Sequence, residues 1–253
     1  MSVRLPLAAR PLCASLLALV CAGSLAGCGG QSAGGVRTAP ATQAQETTTP
    51  EAAAAPTLPS ELPGLGPRTL AKIPAGTGQA VVVTGKGKNS PESTVVVYER
   101  TSEGWRAGAP WPAHNALRGW SEKHRMGDLR SPIGVFTLTD AGGRLADPGT
   151  KLPYSRSNGF SVGGTGFANE PLAGSFDYVV AIDYNRKPGT SPMDWTRPMG
   201  EDRGGGIWLH VDHGGPTHGC VSVGQDRMAE LLRTLDPARK PIVVMGDAAS
   251  LRR

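Results

Sequence analysis

The sequence predicts a mainly β domain, a mixed sandwich or open barrel with one clear helix in its C-terminal half, preceded by a disordered tether. Three observations carry that prediction. Short β-branched runs recur between turn-rich stretches, as in Gln79–Thr84 (QAVVVT) and Ser93–Glu99 (STVVVYE). The 35 glycines among 253 residues mark many turns and leave little room for long helices. One segment, Gln225–Leu235, places Met228, Leu231, Leu232 and Leu235 at helical spacing. A hydrophobic content of 39 % is enough for a real core.

The N-terminus reads as an export signal over residues 1–27, because Arg4 and Arg10 precede an apolar run, Leu12–Val20, that small residues follow. That run is too short to span a bilayer. Leu25-Ala26-Gly27-Cys28 resembles a bacterial lipobox, so Cys28 is expected to be lipidated and to anchor the protein, extracytoplasmic and facing the cell wall, to the cell membrane. An ordinary secretory signal cut near Ala22 or Ala26 is the alternative. Residues 28–75 are rich in Ala, Thr, Pro, Gly and Gln and cannot bury enough apolar surface to order themselves, so they read as a tether. As a flexible coil it would reach on the order of 40 Å.

The formal charge is +5, and removing Arg4 and Arg10 with the signal leaves 24 basic against 21 acidic residues. So balanced a chain, with no basic run interleaved with aromatics, gives no reason to expect a nucleic-acid partner. Of the four cysteines, Cys13 and Cys21 leave with the signal and Cys28 is blocked by lipid, which makes Cys220 the lone thiol of the mature chain. In an exported protein such a thiol is either buried and inert or kept for its reactivity.

The folded part is expected over residues 76–246, with 247–253 as a frayed tail. After the first two strands, Gly104-Trp105 reads as a hairpin returning into a third. Trp105, Trp111 and Trp120 are read as packing residues. Gly127–Phe136 (GDLRSPIGVF) is a tight, rigid lead-in to a strand, Val135–Thr139. Asp140–Gly174 reads as loops and short strands, Phe176–Asp183 as another strand, and Tyr184–Gly206 as a long loop of the kind that is functional or mobile. A closing strand is expected over Pro241–Met245 behind the helix.

The chemistry concentrates in Gly206–Val223 (GIWLHVDHGGPTHGCVSV), which holds three of the five histidines and Cys220. On a period of two, Ile207, Leu209 and Val211 take the core face while Trp208 and His210 take the other. Asp212–Thr217 is a turn. On the strand that resumes at Gly219, Val221 and Val223 face the core and Cys220 and Ser222 oppose them. If the two strands pair antiparallel, His210 and Cys220 share a face. Cys220 is then a nucleophile, His210 its general base and acid, and the backbone at His218 and Gly219 an oxyanion site. No acidic residue is clearly placed to orient His210; Asp212 reaches the right face only if the strand continues, so a backbone carbonyl is expected in that role. His213 is read as a bystander in the turn.

Thr217-His218-Gly219-Cys220-Val221, preceded by a strand histidine, resembles the signature of the L,D-transpeptidase catalytic domain of bacterial cell walls, and GDLRSPIGVF resembles a second stretch of that family. Together they cover about Gly78 to Gly246. The resemblance implies the YkuD-like fold and a peptidoglycan acyltransferase without a cofactor. In it Cys220 would attack a tetrapeptide stem, release the terminal D-alanine and pass the acyl group to an amine on another stem. Ser222 stands where common members carry Asn or Arg, and the interval from His210 to Cys220 is short, which is similar to a divergent actinobacterial branch. Thr217 and Ser222 are candidate substrate-binding residues, and a monomer is expected.

Three other readings remain at the level of sequence. Water instead of an amine would make the same site a carboxypeptidase or endopeptidase. His210, His213, His218 and Cys220 are all competent zinc ligands, although an extended strand puts His210 and His213 on opposite faces and no recognised zinc spacing is present. A lipid-anchored wall-binding protein with decayed chemistry is the third.

Overall fold

The computed structural model describes residues 57–253. The expected signal, the lipidation at Cys28 and the tether up to residue 56 lie outside the described residues. In chain order the strands are β1 (Gln79–Gly85), β2 (Glu92–Arg100), β3 (Trp105–Ala107), β4 (Trp111–His114), β5 (Trp120–Ser121), β6 (Ser131–Pro132), β7 (Gly134–Thr137), β8 (Ala141–Gly143), β9 (Tyr154–Arg156), β10 (Val179–Ala181), β11 (Trp208–Val211), β12 (Val221–Val223) and β13 (Ile242–Asp247). The helices are α1 (Pro67–Leu70), α2 (Gln225–Thr234) and α3 (Ala248–Leu251). The mainly β class is as expected. One mixed sheet runs β7-β13-β1-β2-β4-β12-β11-β10-β8-β9, with β3 beside β2, and β5 pairs with β6 apart from it.

The centre of the sheet forms because its sequence is valine-rich and its registers stack valine on valine. β1 pairs antiparallel with β2, setting Val81 opposite Val97 and Val83 opposite Val95, and parallel with β13, setting Val82 opposite Val244. β1 is covered on both faces. Val81 and Val83 join the main core with Val95, Leu209, Val221 and the α2 side chains, while Ala80 and Val82 join a second layer with Ile242, Val244 and Leu251. Such double burial explains a run of β-branched residues in place of alternation.

Helix α2 buries Met228, Leu231 and Leu232, with Asp226 in its first turn and Arg233 in its last, each sign suited to the end it occupies. Its stripe packs on the core face of β11 and β12, behind the face that carries His210. No helix among the described residues is long and apolar enough to cross a membrane.

Several boundaries differ from the sequence reading. The end of the expected tether is folded: Leu62, Leu65, Leu70 and Ile73 pack into the second layer. The expected tail is α3, capped by Asp247 Oδ1 accepting from Ser250 N at 3.0 Å, with Leu251 buried. The two ends hold each other, since Gly66 N donates to Leu251 O and Arg68 N to Arg253 O. Local composition underestimates both segments because each is ordered by the other.

The pairing that matters most also differs. β11 and β12 run parallel, with Leu209 opposite Val221, His210 opposite Ser222 and Val211 opposite Val223. The connection does not reverse tightly. It returns to the start of β11, held where Thr217 N donates to Asn115 O and Leu117 N to Thr217 O. Cys220 thereby arrives beside Trp208, the first residue of β11.

Candidate active site

His210 and Cys220 lie on the same face, as expected, although by parallel strands. Leu209, Val211, Val221 and Val223 turn into the main core, while Trp208 and Cys220 pack with Phe160 and Phe176 on the other side. Phe176 meets the His210 ring edge-on, with centroids 5.3 Å apart. His210 is buried at 3 % exposure.

The orienting group for His210 is a backbone carbonyl, again as expected: Nδ1 donates to Val211 O at 2.8 Å. That bond fixes the tautomer and leaves Nε2 as the free, basic nitrogen. Burial pushes His210 down to about 4, against which the Val211 bond works, so the imidazole is neutral near pH 7.

Cys220 is half-buried and unpaired in any disulfide. Burial raises its thiol to about 11, partly offset by the Trp208 amide, which donates to Sγ at 3.4 Å. The S–H donates to Gly206 O at 3.5 Å. No hydrogen bond joins His210 to Cys220 among the described residues. The resting pair is therefore a neutral thiol and a neutral imidazole.

The turn before Cys220 supplies backbone donors. The amides of His218, Gly219 and Cys220 find no backbone acceptor among the described residues. Three successive N–H groups beside a thiol are suited to a developing oxyanion. Gly219 lies close under Ile207, whose Cδ1 a Cβ there would meet at 2.9 Å. Gly206, whose carbonyl meets the thiol, has φ +65°, a conformation glycine adopts without strain.

Thr217 and Ser222 do not face solvent, which corrects their expected role in contacting substrate. Thr217 is 3 % exposed, and its hydroxyl donates to Cys220 O at 2.7 Å. Ser222 is fully buried and donates to Asp212 Oδ1 at 2.6 Å. Asp212 belongs to a separate network, accepting also from His114 Nδ1 at 2.9 Å. Burial alone would raise its carboxyl; the His114 and Ser222 bonds outweigh that and hold it at about 2. The short side chain at Ser222 thus serves the support of the turn.

The remaining histidines separate. His218 is exposed and its ring packs at a tilt on Phe167, centroids 4.7 Å apart. The His213 ring stacks 5.9 Å from that of His210, and its Nδ1 donates to Glu170 Oε1 at 2.9 Å. Glu170 and His114 sit 43 and 98 residues before their partners, and no local pattern marks them. Among the described residues no three His, Cys, Asp or Glu side chains gather as a metal-holding group.

The four large apolar side chains exposed among the described residues are Met126, Phe167, Trp195 and Met199. Phe167 lies on His218, the Trp195 ring borders Gly206, and Met126 borders Gly204. A cavity of about 700 Å³ lies elsewhere, lined by Lys86, Lys88, Trp120 and Arg130, and neither Cys220 nor His210 borders it.

No curated protein matches the chain. The helical cell shape determining protein Pgp2 from Campylobacter jejuni is similar at 17 % identity and a TM-score of 0.40, covering 67 % of this chain and 48 % of its own. Bd1075 from Bdellovibrio bacteriovorus is similar at 20 % identity and a TM-score of 0.38, covering 75 % of this chain and 53 % of its own. The chain spans about half the length of each. The family model of the L,D-transpeptidase catalytic domain (YkuD) matches residues 75–244, and the chain belongs to that family.

Proposed function

We propose that the protein is a peptidoglycan L,D-transpeptidase, a cysteine acyltransferase acting on stem peptides. Cys220 Sγ attacks the carbonyl before the terminal residue of a tetrapeptide stem, and its proton passes to His210 Nε2. The amides of His218 to Cys220 receive the oxyanion, donors worth roughly 3–4 kcal/mol each in a site that excludes water. The carbon–nitrogen bond breaks, His210 returns the proton to the departing amine, and a thioester remains on Cys220. An amine from another stem then attacks the thioester, His210 taking its proton, and the thiol is released. The observation that carries this reading is the same-face placement of His210 on β11 and Cys220 just before β12, with Nδ1 committed to Val211 and the amides of His218 to Cys220 without a backbone acceptor among the described residues.

Thr217 acts here through the Cys220 carbonyl it holds, and Ser222 through Asp212. A lipid on Cys28 of the lipobox-like LAGC would anchor the enzyme in the cell membrane, extracytoplasmic and facing the cell wall, with the following residues as tether. Incubating the soluble domain with tetrapeptide muropeptides, with and without an added amine acceptor, and reading products by mass tests the activity. A cross-linked dimer is expected. A shortened stem alone assigns the site to hydrolysis, and absence of both thioester and product assigns it to binding without chemistry.

A further inference from the structure

The turn between His210 and Cys220 carries two rings that the proposed chemistry does not use, His213 and His218, and a single hairpin holds both. Residues 164–172 close on themselves through Gly166 N donating to Glu170 O at 2.8 Å, Leu172 N to Gly164 O at 3.1 Å and a Thr165–Pro171 bridge. Phe167 packs on His218, and Glu170 accepts from His213.

Glu170 is built into its place. Its Oε2 accepts from Ala168 N at 2.7 Å while Oε1 holds His213. A Cβ on Gly166 or on Gly215 would come within 2.1 Å of Oε1, so the carboxylate lies in a slot that only glycines leave open. The side chains of His213 and Glu170 are 5 % and 10 % exposed. The carboxylate is thus held by an amide and an imidazole at once.

The ring fixed in this way lies nearly parallel to His210, at an interplanar angle of 11°. Phe176 closes on His210 edge-on, and Val211 O ties its Nδ1. The titratable groups around His210 are His213 on the stacked side, Asp212 in the same turn with its partner His114, and Cys220 on the adjacent strand.

We propose that Glu170 and His213 are positioning residues for His210: Glu170 fixes the His213 ring, and that ring holds the His210 imidazole at one orientation about its bond to Val211. The inference rests on His210 being the base. A tilt of the ring about that bond would carry Nε2 off the proton it must take, and a displacement of about 1 Å in such geometry costs on the order of a hundredfold in rate.

The test is acylation of Cys220 by p-nitrophenyl acetate, followed by intact mass across pH, together with NMR titration of the His210 ring nitrogens. His213→Ala is expected to lower the acylation rate at least about tenfold. In the same variant the His210 midpoint moves up toward its ordinary value, since His213 contributes to holding it down. Glu170→Ala should behave like His213→Ala. Glu170→Gln keeps an acceptor for His213 Nδ1 and should restore most of the rate. A folded His213→Ala with wild-type rate and an unshifted His210 titration overturns the proposal. If that variant does not fold, an unaltered rate and titration in Glu170→Ala does so instead. Wild-type acylation in His210→Gln has a different meaning and removes the base assignment on which the inference stands.

Discussion

The two halves of the sheet are held by different forces. Around β1, β2 and β13 the strands run six to nine residues and lock through valine registers, and their order follows from burial on both faces. Around β8 to β12 the strands are three or four residues long, and polar clusters bind the loops between them. Arg186 joins Asp140 and Asp183, His114 and Ser222 join Asp212, and His213 joins Glu170. The apolar half is a platform that tolerates hydrophobic exchange. The polar half places each group individually, which is what a reaction centre requires.

Substitutions can break that contrast, beginning with the largest effect. Cys220→Ser and His210→Gln should each lower acylation by about 10³-fold or more while leaving the platform, and the melting temperature, little changed. Arg186→Met strands two buried carboxylates and should cost about 3–5 kcal/mol, read by urea unfolding. Leu232→Ala, on the α2 stripe, should cost about 2–5 kcal/mol through the cavity it leaves, yet retain activity below its melting point. Loss of activity in Leu232→Ala well below melting would mean that platform and site are not separable.

Asp212→Asn should cost about 1–3 kcal/mol by weakening the bonds to His114 and Ser222. Its pH dependence has a definite sign. The Asp212 carboxyl is depressed to about 2, so its contribution is present above the ordinary carboxylate value and is lost as pH falls toward 2. His114 is raised by the same bond, so its contribution is present below its ordinary value and is lost as pH climbs past the raised one. The melting difference between wild type and Asp212→Asn should be widest between about pH 4 and 6.5 and narrow on both sides. A difference that is flat with pH would mean that Asp212 acts only by packing.

The same contrast governs how much could be read from the amino-acid sequence. The valine runs, the α2 stripe and the alternation through Ile207–Val211 are local patterns, and each predicts an element that the structure contains. The Cys220–His210 pair was legible for the same reason, because strand periodicity alone puts both off the core face. What escaped is long-range. The parallel pairing of β11 and β12 depends on Asn115 and Leu117 holding Thr217. His213 read as a turn residue because its meaning lies in Glu170, on a different loop. The segments around Leu62 and Leu251 read as tether and tail because the layer they join, with Val82 and Tyr98, is assembled from strands distant in sequence from Leu62, and for Leu251 includes Leu62 itself.

The central claim, that Cys220 carries the acyl group and His210 moves the proton, is tested most directly by acid-quenched intact mass of the enzyme with a tetrapeptide donor and no acceptor. The expected result is an adduct of the tripeptidyl acyl mass on Cys220, released by an added amine and absent from Cys220→Ser and His210→Gln. Product formation that persists in Cys220→Ser, with no adduct on the wild-type protein, would contradict it.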